Sequence, residues 1–122
     1  MRRVRKEDMV EIGRWNDERG LPPLDFSVYP MLGFIEPGVA AGFMHRTDTS
    51  IAIFENFISN PQADKVKARE VMGEIAKALE EAVKILGFKY STAVINIKSI
   101  EDLAIQNGMK LIGAYRVYRK EL

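Results

Sequence analysis

Three cations gather at the point where the longest helix of the chain is expected to begin. Lys65, Lys67 and Arg69 follow a polar turn, and a helix N-terminus already carries partial positive charge, so exposed cations there are slightly unfavourable. Their placement makes more sense if an anion binds at the start of the helix. The alternative is a solvated basic turn whose charge is offset by Glu70 and Glu74.

The composition excludes several classes of chemistry. The 122-residue chain has no cysteine and one histidine, which rules out disulfides, zinc–thiolate sites, thiol catalysis and multi-histidine metal sites. The net charge of +1 gives no general case for nucleic acid or an acidic membrane as a partner. Because no segment has the length and apolarity of a signal peptide or membrane span, we expect a soluble cytoplasmic protein with one domain over residues 1–122.

A strand and a helix flank the cationic turn. Residues 50–59 are rich in Ile and Phe, and their two alternating sets are Ile51, Ile53, Glu55, Phe57 and Ala52, Phe54, Asn56, Ile58. Since both sets are mostly apolar, we expect a strand covered on both faces. The helix is predicted by an apolar stripe, which comprises Ala68, Met72, Ile75, Leu79, Val83 and Leu86. Gly87 is expected to end it.

The remaining segments predict a mixed sheet with helices on its faces. Arg2 to Arg5 reads as a short edge strand, and Asp8 with Glu11 has the spacing of a capping box that starts a helix ending near Gly20. Residues 31–35 and 39–44 predict a hairpin across Glu36-Pro37-Gly38. Residues 89–97 predict a strand parallel to the one at 50–59. A capping box at Ser99 predicts a short helix ending at Asn107-Gly108, and residues 111–119 predict a final strand. The order is β-α-β-β-β-α-β-α-β, an α/β (α+β) fold.

At this point the chain resembles the GCN5-related N-acetyltransferase (GNAT) family over nearly its whole length. The resemblance rests on an arginine-bearing first strand before Asp8, on Phe54-Glu55-Asn56-Phe57-Ile58-Ser59-Asn60-Pro61 as the fourth strand, and on Ile105-Gln106-Asn107-Gly108-Met109 at the end of the last helix. The chain looks like a compact member in which the family's motifs have degenerated, of a type that also occurs in phages. The resemblance implies acetyl-CoA in a cleft where the fourth and fifth strands separate.

The same resemblance implies which residues contact acetyl-CoA. Backbone groups of Phe57, Ile58 and Ser59 would pair with the pantetheine arm, and the start of the long helix would hold the pyrophosphate. The residues expected there are Gln62, Lys65, Val66, Lys67, Ala68 and Arg69, with Asn96 on the fifth strand as a further contact. The family's loop has the form Arg/Gln-x-x-Gly-x-Gly/Ala, whereas residues 62–69 here contain no glycine. Charge from the cations would have to replace part of the backbone contact.

For catalysis, the resemblance implies that Glu55 is the general base that deprotonates an amine. A largely buried Glu would have a raised pKa, which suits that role; the alternative is a Glu55 paired with an Arg or Lys of a neighbouring strand. The family's usual tyrosine acid is absent, since Ala104 stands at its position, and Tyr90, Tyr115 or Tyr118 could only substitute from elsewhere. His45 is either a base facing the acceptor cleft or an exposed turn residue. Trp15 is expected in the core or at an interface.

Two hypotheses of different classes follow. The chain is an acetyl-CoA-dependent N-acetyltransferase acting on a small-molecule or protein amine, or it is a catalytically inactive binding or structural protein of the same fold. The missing glycines and tyrosine favour the second hypothesis, and Glu55 with the cationic loop favours the first. A protein partner and a homodimer are open in either case.

Overall fold

Eight elements follow one another in the computed structural model, which describes residues 1–23, 25, 27, 29, 32–95 and 97–122. They are β1 (Arg2–Arg3), α1 (Asp8–Glu18), β2 (Leu32–Glu36), β3 (Ala40–His45), β4 (Ile51–Ser59), α2 (Lys65–Ile85), β5 (Tyr90–Ala93) and α3 (Lys98–Gln106). The strands form one sheet in the order β1-β2-β3-β4-β5, antiparallel except for the parallel pair β4 and β5. The predicted α+β class, mixed sheet and parallel crossover are confirmed.

Each face of the sheet carries its own core. On one face α2 packs on β3 and β4, with Leu103 of α3 at the margin; the buried residues are Ala40, Met44, Ala52, Phe54, Val71, Met72, Ile75, Leu79, Val83 and Leu103. On the other face α1 buries Ile12 and Trp15 against Ile35, Ala41, Phe43 and Ile58. The prediction that β4 is covered on both faces is confirmed, and Trp15 is a core residue with no exposed surface.

A bulge in β4 overturns the predicted alternation of its side chains. Ala41 pairs with Ile58 and Phe43 pairs with Glu55, so β4 has one residue more than β3 in this interval. Asn56 takes up the extra residue with a φ of 59°, a left-handed conformation that Asn tolerates better than most residues. Beyond it, Phe57 turns towards the α2 core and Ile58 towards the α1 core. The two sets predicted from strict alternation are therefore wrong after Asn56.

Glycine allows Phe57 to pack in its new position. A β-carbon at Gly42 would lie 2.7 Å from the Phe57 ring and 2.9 Å from Cγ2 of Ile75. These distances are shorter than van der Waals contact, so the bulge and the glycine opposite it form one packing unit. Gly73 on α2 differs, because its added β-carbon would meet only Leu103, at 3.8 Å.

Several predicted boundaries change. The long helix ends at Ile85 and Leu86 is its half-exposed cap, so the buried stripe stops at Val83, while Gly87 adopts the expected positive φ of 90°. The turn at residues 36–39 has the predicted form, with Val39 N–H donating to Glu36 O and Gly38 at φ 79°. The capping box at Ser99 is wrong: α3 begins at Lys98 and has no side-chain cap.

The predicted strand over residues 111–119 is also wrong in this structure. Residues 109–122 have no regular secondary structure, and the last backbone–backbone hydrogen bond described along the chain is from Met109 N–H to Ala104 O. The predicted strand at residues 89–97 is shorter, covering only Tyr90–Ala93. Met31, placed by the prediction at the start of the hairpin, lies outside the described residues.

Asp8 joins β1 to α1. Its carboxylate accepts hydrogen bonds from Nη1 and Nη2 of Arg2, each at 2.8 Å, and from the backbone N–H of Arg5 at 2.6 Å. The predicted capping box is therefore wrong, since Asp8 is the first helical residue rather than the N-cap, and Glu11 accepts from Gly38 N–H instead. The hydrogen bonds from Arg2, followed by that from Arg5, hold the pKa of Asp8 below its usual value despite its burial.

We expect Gly42→Ala to lower the free energy of unfolding by about 1–3 kcal/mol, because the methyl group must displace the Phe57 ring. Gly73→Ala should instead raise it by about 0.5–1 kcal/mol, since an open helical site gains from a less flexible unfolded chain. Urea unfolding followed by circular dichroism measures both. Phe57→Leu should reduce the cost of Gly42→Ala, and strict additivity of the two changes would contradict the packing unit.

Asp8 should make the stability of the fold depend on acid. Because its pKa is lower in the folded chain than in the unfolded one, its contribution is present above the unfolded value of about 3.9 and is lost as the pH falls through the native pKa. Asp8→Asn should lower the free energy of unfolding by about 1–3 kcal/mol at neutral pH, and its stability should converge with that of the parent chain in acid. Glu7→Gln, at an exposed neighbouring carboxylate, is the control. Parallel stability–pH curves for Asp8→Asn and the parent would contradict this role.

Candidate active site at the β4–β5 cleft

Glu55 lies on β4 just before the bulge, on the α1 side of the sheet. Its Oε2 is 3.1 Å from Nε2 of His45, at the end of the neighbouring strand β3. The two atoms are within ion-pair distance, although their geometry is not that of a hydrogen bond. The Glu55 side chain is 38 % exposed, so the expectation of a largely buried carboxylate is wrong. Its partner is His45 rather than the Arg or Lys considered from the sequence.

The cleft beside Glu55 exists because β5 is much shorter than β4. The two strands pair only from Ile51 to Phe54 on β4 and from Tyr90 to Ala93 on β5. β4 continues to Ser59, and no strand among the described residues pairs with the β5-facing edge of its last five residues. A cavity of about 1000 Å³ opens there; Phe54 to Phe57, β5, α3 and residues 109–115 line it. An extended ligand could form hydrogen bonds with this exposed backbone.

Asn60 fixes the turn between β4 and α2. Its backbone N–H donates to Val39 O at 2.8 Å and its side-chain Nδ2 to Gly38 O at 2.9 Å. Its Oδ1 accepts from the N–H of Gln62, and its carbonyl from the N–H of Ala63. The turn that leads into the helix is thus held against the β2–β3 hairpin, which fixes where α2 begins.

The first turn of α2 combines exposed cations with an internal cap. Lys65, Lys67 and Arg69 are exposed, and α2 begins at Lys65 as predicted. Asp64 is the N-cap, and its Oδ2 accepts the N–H of Lys67 at 2.9 Å. A carboxylate of the chain therefore already occupies one of the amide positions at which an external anion would bind.

The other residues implied at the cofactor site are dispersed around this turn. Phe57 lines the cleft, whereas the Ile58 side chain is buried in the α1 core. Gln62 and Val66 are exposed and Ala68 is buried at 7 %. Lys67 lies near Glu36, whose pKa is lowered first by the amino group of Met1 and to a lesser extent by Lys67. Asn96 lies outside the described residues.

Sequence reasoning missed Arg19, which caps the end of α1 and reaches the end of β4. Its guanidinium donates to the carbonyl oxygen of Ser59 from Nε at 3.1 Å and from Nη2 at 2.9 Å, and Nη2 also donates to Ser59 Oγ at 2.7 Å. No local pattern connects residues 19 and 59, whereas Asp64 could have been found as an acid directly before a helix.

Two of the three tyrosines considered as acids line the cleft. Tyr90 and Tyr115 are 65 % and 75 % exposed, and Ala104 lines the same cavity. Tyr118 is exposed near the end of the chain.

The described residues contain no group of three carboxylate or histidine side chains placed to hold a metal ion. Among them, no helix has the length and apolarity needed to cross a membrane.

The architecture is that of solved acetyltransferases. A crystal structure of a Trypanosoma brucei acetyltransferase superposes with a TM-score of 0.64 at 13% identity, covering 99% of this chain and 97% of that one. A crystal structure of a probable acetyltransferase gives a TM-score of 0.63 at 9% identity, covering 100% and 98%. No family profile matches the sequence, and no curated protein matches it. These similarities confirm the fold implied by the sequence.

Proposed function

We propose, with the acetyltransferase fold as the premise, that this chain binds acetyl-CoA in the β4–β5 cleft and transfers the acetyl group to an amine. The observation that carries the proposal is the β4 edge that begins at Glu55, continues past the bulge beside the cavity and pairs with no other described strand. The acceptor is a small-molecule or protein amine. Both crystal structures with this fold bear the name acetyltransferase.

The β4 edge supports binding of an extended, amide-bearing arm. Such an arm pairs with a strand as an added strand does, through backbone hydrogen bonds that need no particular side chain. Backbone groups of Phe57 and Ile58 can therefore serve the ligand although the Ile58 side chain is buried. At Ser59, the third residue of this set, the carbonyl oxygen already accepts hydrogen bonds from Arg19. The cavity is large enough for a drug-sized ligand, since such pockets typically measure about 300–1,000 Å³.

Glu55 is the candidate base for this reaction. Bound acetyl-CoA supplies a thioester whose carbon–sulfur bond breaks as the carbon–nitrogen bond of the product amide forms. Glu55 takes the proton that the amine loses, directly or through water. The Nε2 atom of His45, 3.1 Å from Oε2 of Glu55, is close enough to take up the proton in turn. The leaving sulfur must also gain a proton, for which Tyr90 and Tyr115 on the cavity wall are the candidates.

The phosphate end of the ligand fits less well. Asp64 caps the helix where a pyrophosphate would sit. The turn has no glycine, and the side chain of Val66 lies in the neighbourhood that a phosphate would approach. Lys65, Lys67 and Arg69 provide the compensating charge on the same turn. Binding through long, exposed side chains is weaker and more sensitive to salt than binding through backbone amides.

The Asp64 cap and Ala104 also favour a second candidate function. A chain that satisfies its own helix N-terminus and lacks the tyrosine acid can serve as a binding or structural protein that has kept the cleft without the reaction. A protein partner would then occupy the cleft. Calorimetric titration with acetyl-CoA and with CoA separates the two, because the second candidate predicts no binding of either at millimolar concentration.

Charge changes around Asp64 should alter CoA affinity in opposite directions. Asp64→Ser keeps a capping oxygen while removing the negative charge, so affinity should rise about 3- to 10-fold. Replacing Lys65, Lys67 and Arg69 together by Ala should lower it at least about 10-fold, with stability unchanged or slightly raised. Lys77→Ala, farther along α2, is the control. Equal affinities in all four proteins would contradict an anion site at this turn.

Glu55→Gln should lower the acetylation rate by about 10²- to 10⁴-fold, because the amide cannot accept the proton. Acetyl-CoA affinity should stay within about 2-fold, since the ligand pairs with backbone in this region. An amine-acceptor screen with thiol release as the readout measures the rate. His45→Gln should give a smaller loss and a changed pH profile. An unchanged rate in Glu55→Gln would contradict its role as the base.

A further inference from the structure

A second cavity lies at the far end of α2 from the cationic turn, between that helix and strands β1 to β3. It has a volume of about 680 Å³, and its apolar lining comes from Leu32, Phe34, Met44, Ala82, Ile85 and Leu86. Because a helix rises about 1.5 Å per residue, the 21 residues of α2 place this cavity about 30 Å from the cationic turn. It shares no lining residue with the β4–β5 cleft. We call it the β1–β3 groove.

The apolar side chains of the groove continue the α2 core but are incompletely covered. Leu32 and Phe34 of β2 are only partly buried against that core. At the end of α2, Ile85 is 84 % and Leu86 43 % exposed. Concave, contiguous apolar surface is typical of a binding site. The groove therefore suits a ligand that has an apolar body.

The charged or titratable side chains that line the groove are all basic. They are Arg3, His45 and Arg46, and no carboxylate is among the described lining residues. Arg3 lies on the groove side of β1 because it pairs with Phe34, and residues that pair across strands share a face. His45 approaches Glu55 instead, which leaves the two arginines as the fixed charges of the groove. The β4–β5 cleft differs, since both acids and lysines line it.

The two arginines have no side-chain partner within the described part of the chain. Arg2 points to the opposite face of the sheet and binds Asp8. Neither Arg3 nor Arg46 forms a described ion pair or a described side-chain hydrogen bond. They do not cap α2, because its last carbonyl groups accept hydrogen bonds from the backbone N–H groups of residues 86–88. Both guanidinium groups are therefore available to an external anion.

Carboxylates on the neighbouring elements are engaged elsewhere. Glu36, two residues along β2 from Phe34, binds the amino group of Met1. Glu81, in the last turns of α2, lies 3.6 Å from Nζ of Lys84. The positive charge of the groove is thus not offset by these acids.

We propose that the β1–β3 groove binds a free single-chain amphiphile with an anionic head, of which a medium-length alkyl carboxylate is the simplest example. The guanidinium groups of Arg3 and Arg46 bind the carboxylate. The alkyl chain covers Leu32, Phe34 and Ile85 and removes their exposed surface from water. The volume of the groove lies within the range of about 300–1,000 Å³ that is usual for small-molecule sites.

The charge of the groove argues against a second copy of the chain as its occupant. In a two-fold dimer the same surface meets itself, so Arg3 and Arg46 of the two copies would lie against each other. The concave lining favours a free molecule over a membrane surface. Binding at this groove is independent of any enzymatic activity in the β4–β5 cleft.

Titration of the isotope-labelled chain with decanoate, followed by NMR, tests the site, and decanol and decylamine are the probes of matched chain length. We expect saturable shifts at the amides of Leu32, Met44 and Leu86. The affinity for decanoate should exceed that for decanol at least about 10-fold, and decylamine should bind most weakly. Octanoate should bind about 4- to 16-fold more weakly than decanoate, since it lacks two methylene groups. No saturable binding, shifts confined to Tyr90–Ala93 in the cleft, or equal affinities for decanoate and decylamine overturn the proposal.

Recognition of the anionic head is tested by Arg3→Gln/Arg46→Gln. This double variant should lower the affinity for decanoate at least about 10-fold and leave that for decanol within about 2-fold. Lys6→Gln/Arg14→Gln removes the same charge at two exposed positions that do not line the groove, and is the control. An equal loss of decanoate affinity in both double variants overturns the assignment to the arginines.

The apolar wall and the membrane alternative have their own tests. Ile85→Ser should weaken decanoate and decanol alike, at least about 3-fold, whereas Val10→Ser, at a 79 % exposed position on α1, should weaken neither. Equal effects of the two serine variants contradict a site at the groove. In sedimentation with anionic phospholipid vesicles we expect the chain to remain in solution. Retention on the vesicles that Arg3→Gln/Arg46→Gln abolishes would assign the groove to a membrane and overturn the proposal.

Discussion

The extra residue at Asn56 determines the geometry of the candidate site. It reverses the side of the sheet to which successive β4 side chains point, so that Phe57 packs in the α2 core and Ile58 in the α1 core. The end of the strand is thereby anchored on both sides of the sheet. A strand held in this way can continue without a neighbour on one edge, because burial of Phe57 and Ile58 replaces the stabilisation that a fifth-strand ladder would supply. The cleft therefore depends on packing rather than on the loops that surround it.

Packing explains which parts of this fold were predictable from the sequence. The strand and the helix that flank the cationic turn have strong apolar periodicity. Both form in the structure at nearly the predicted bounds. The bulge was not predictable, since it arises from fitting the Phe57 ring over Gly42 and Ile75, which are far away in sequence. The strand predicted at residues 111–119 was wrong for a related reason, because strand propensity within a segment does not determine whether or where that segment pairs.

The positions of the candidate residues in the fold were predictable to a similar degree, whereas their roles stay predictions. Glu55 lies on β4 and α2 begins at Lys65 as expected, because both positions follow from local pattern. The contacts that modify them were not, since His45 approaches from β3 and Arg19 from α1. Such contacts connect residues distant in the chain, and a single sequence carries no signal for them. Asp64 is different, because an acid directly before a helix is a local signal.

At the start of α2, one negative capping side chain and three positive side chains lie within a few residues of each other. The cap by Asp64 stabilises the helix and lowers the local positive potential, while three cations on the same turn raise it. A helix that needed only stability would favour acids in its first turn, and this one has none there. Three cations placed against the helix dipole are what the proposed anion site requires. The part of β4 beyond Phe54 adjoins an open cavity, and its backbone there suits an extended small ligand.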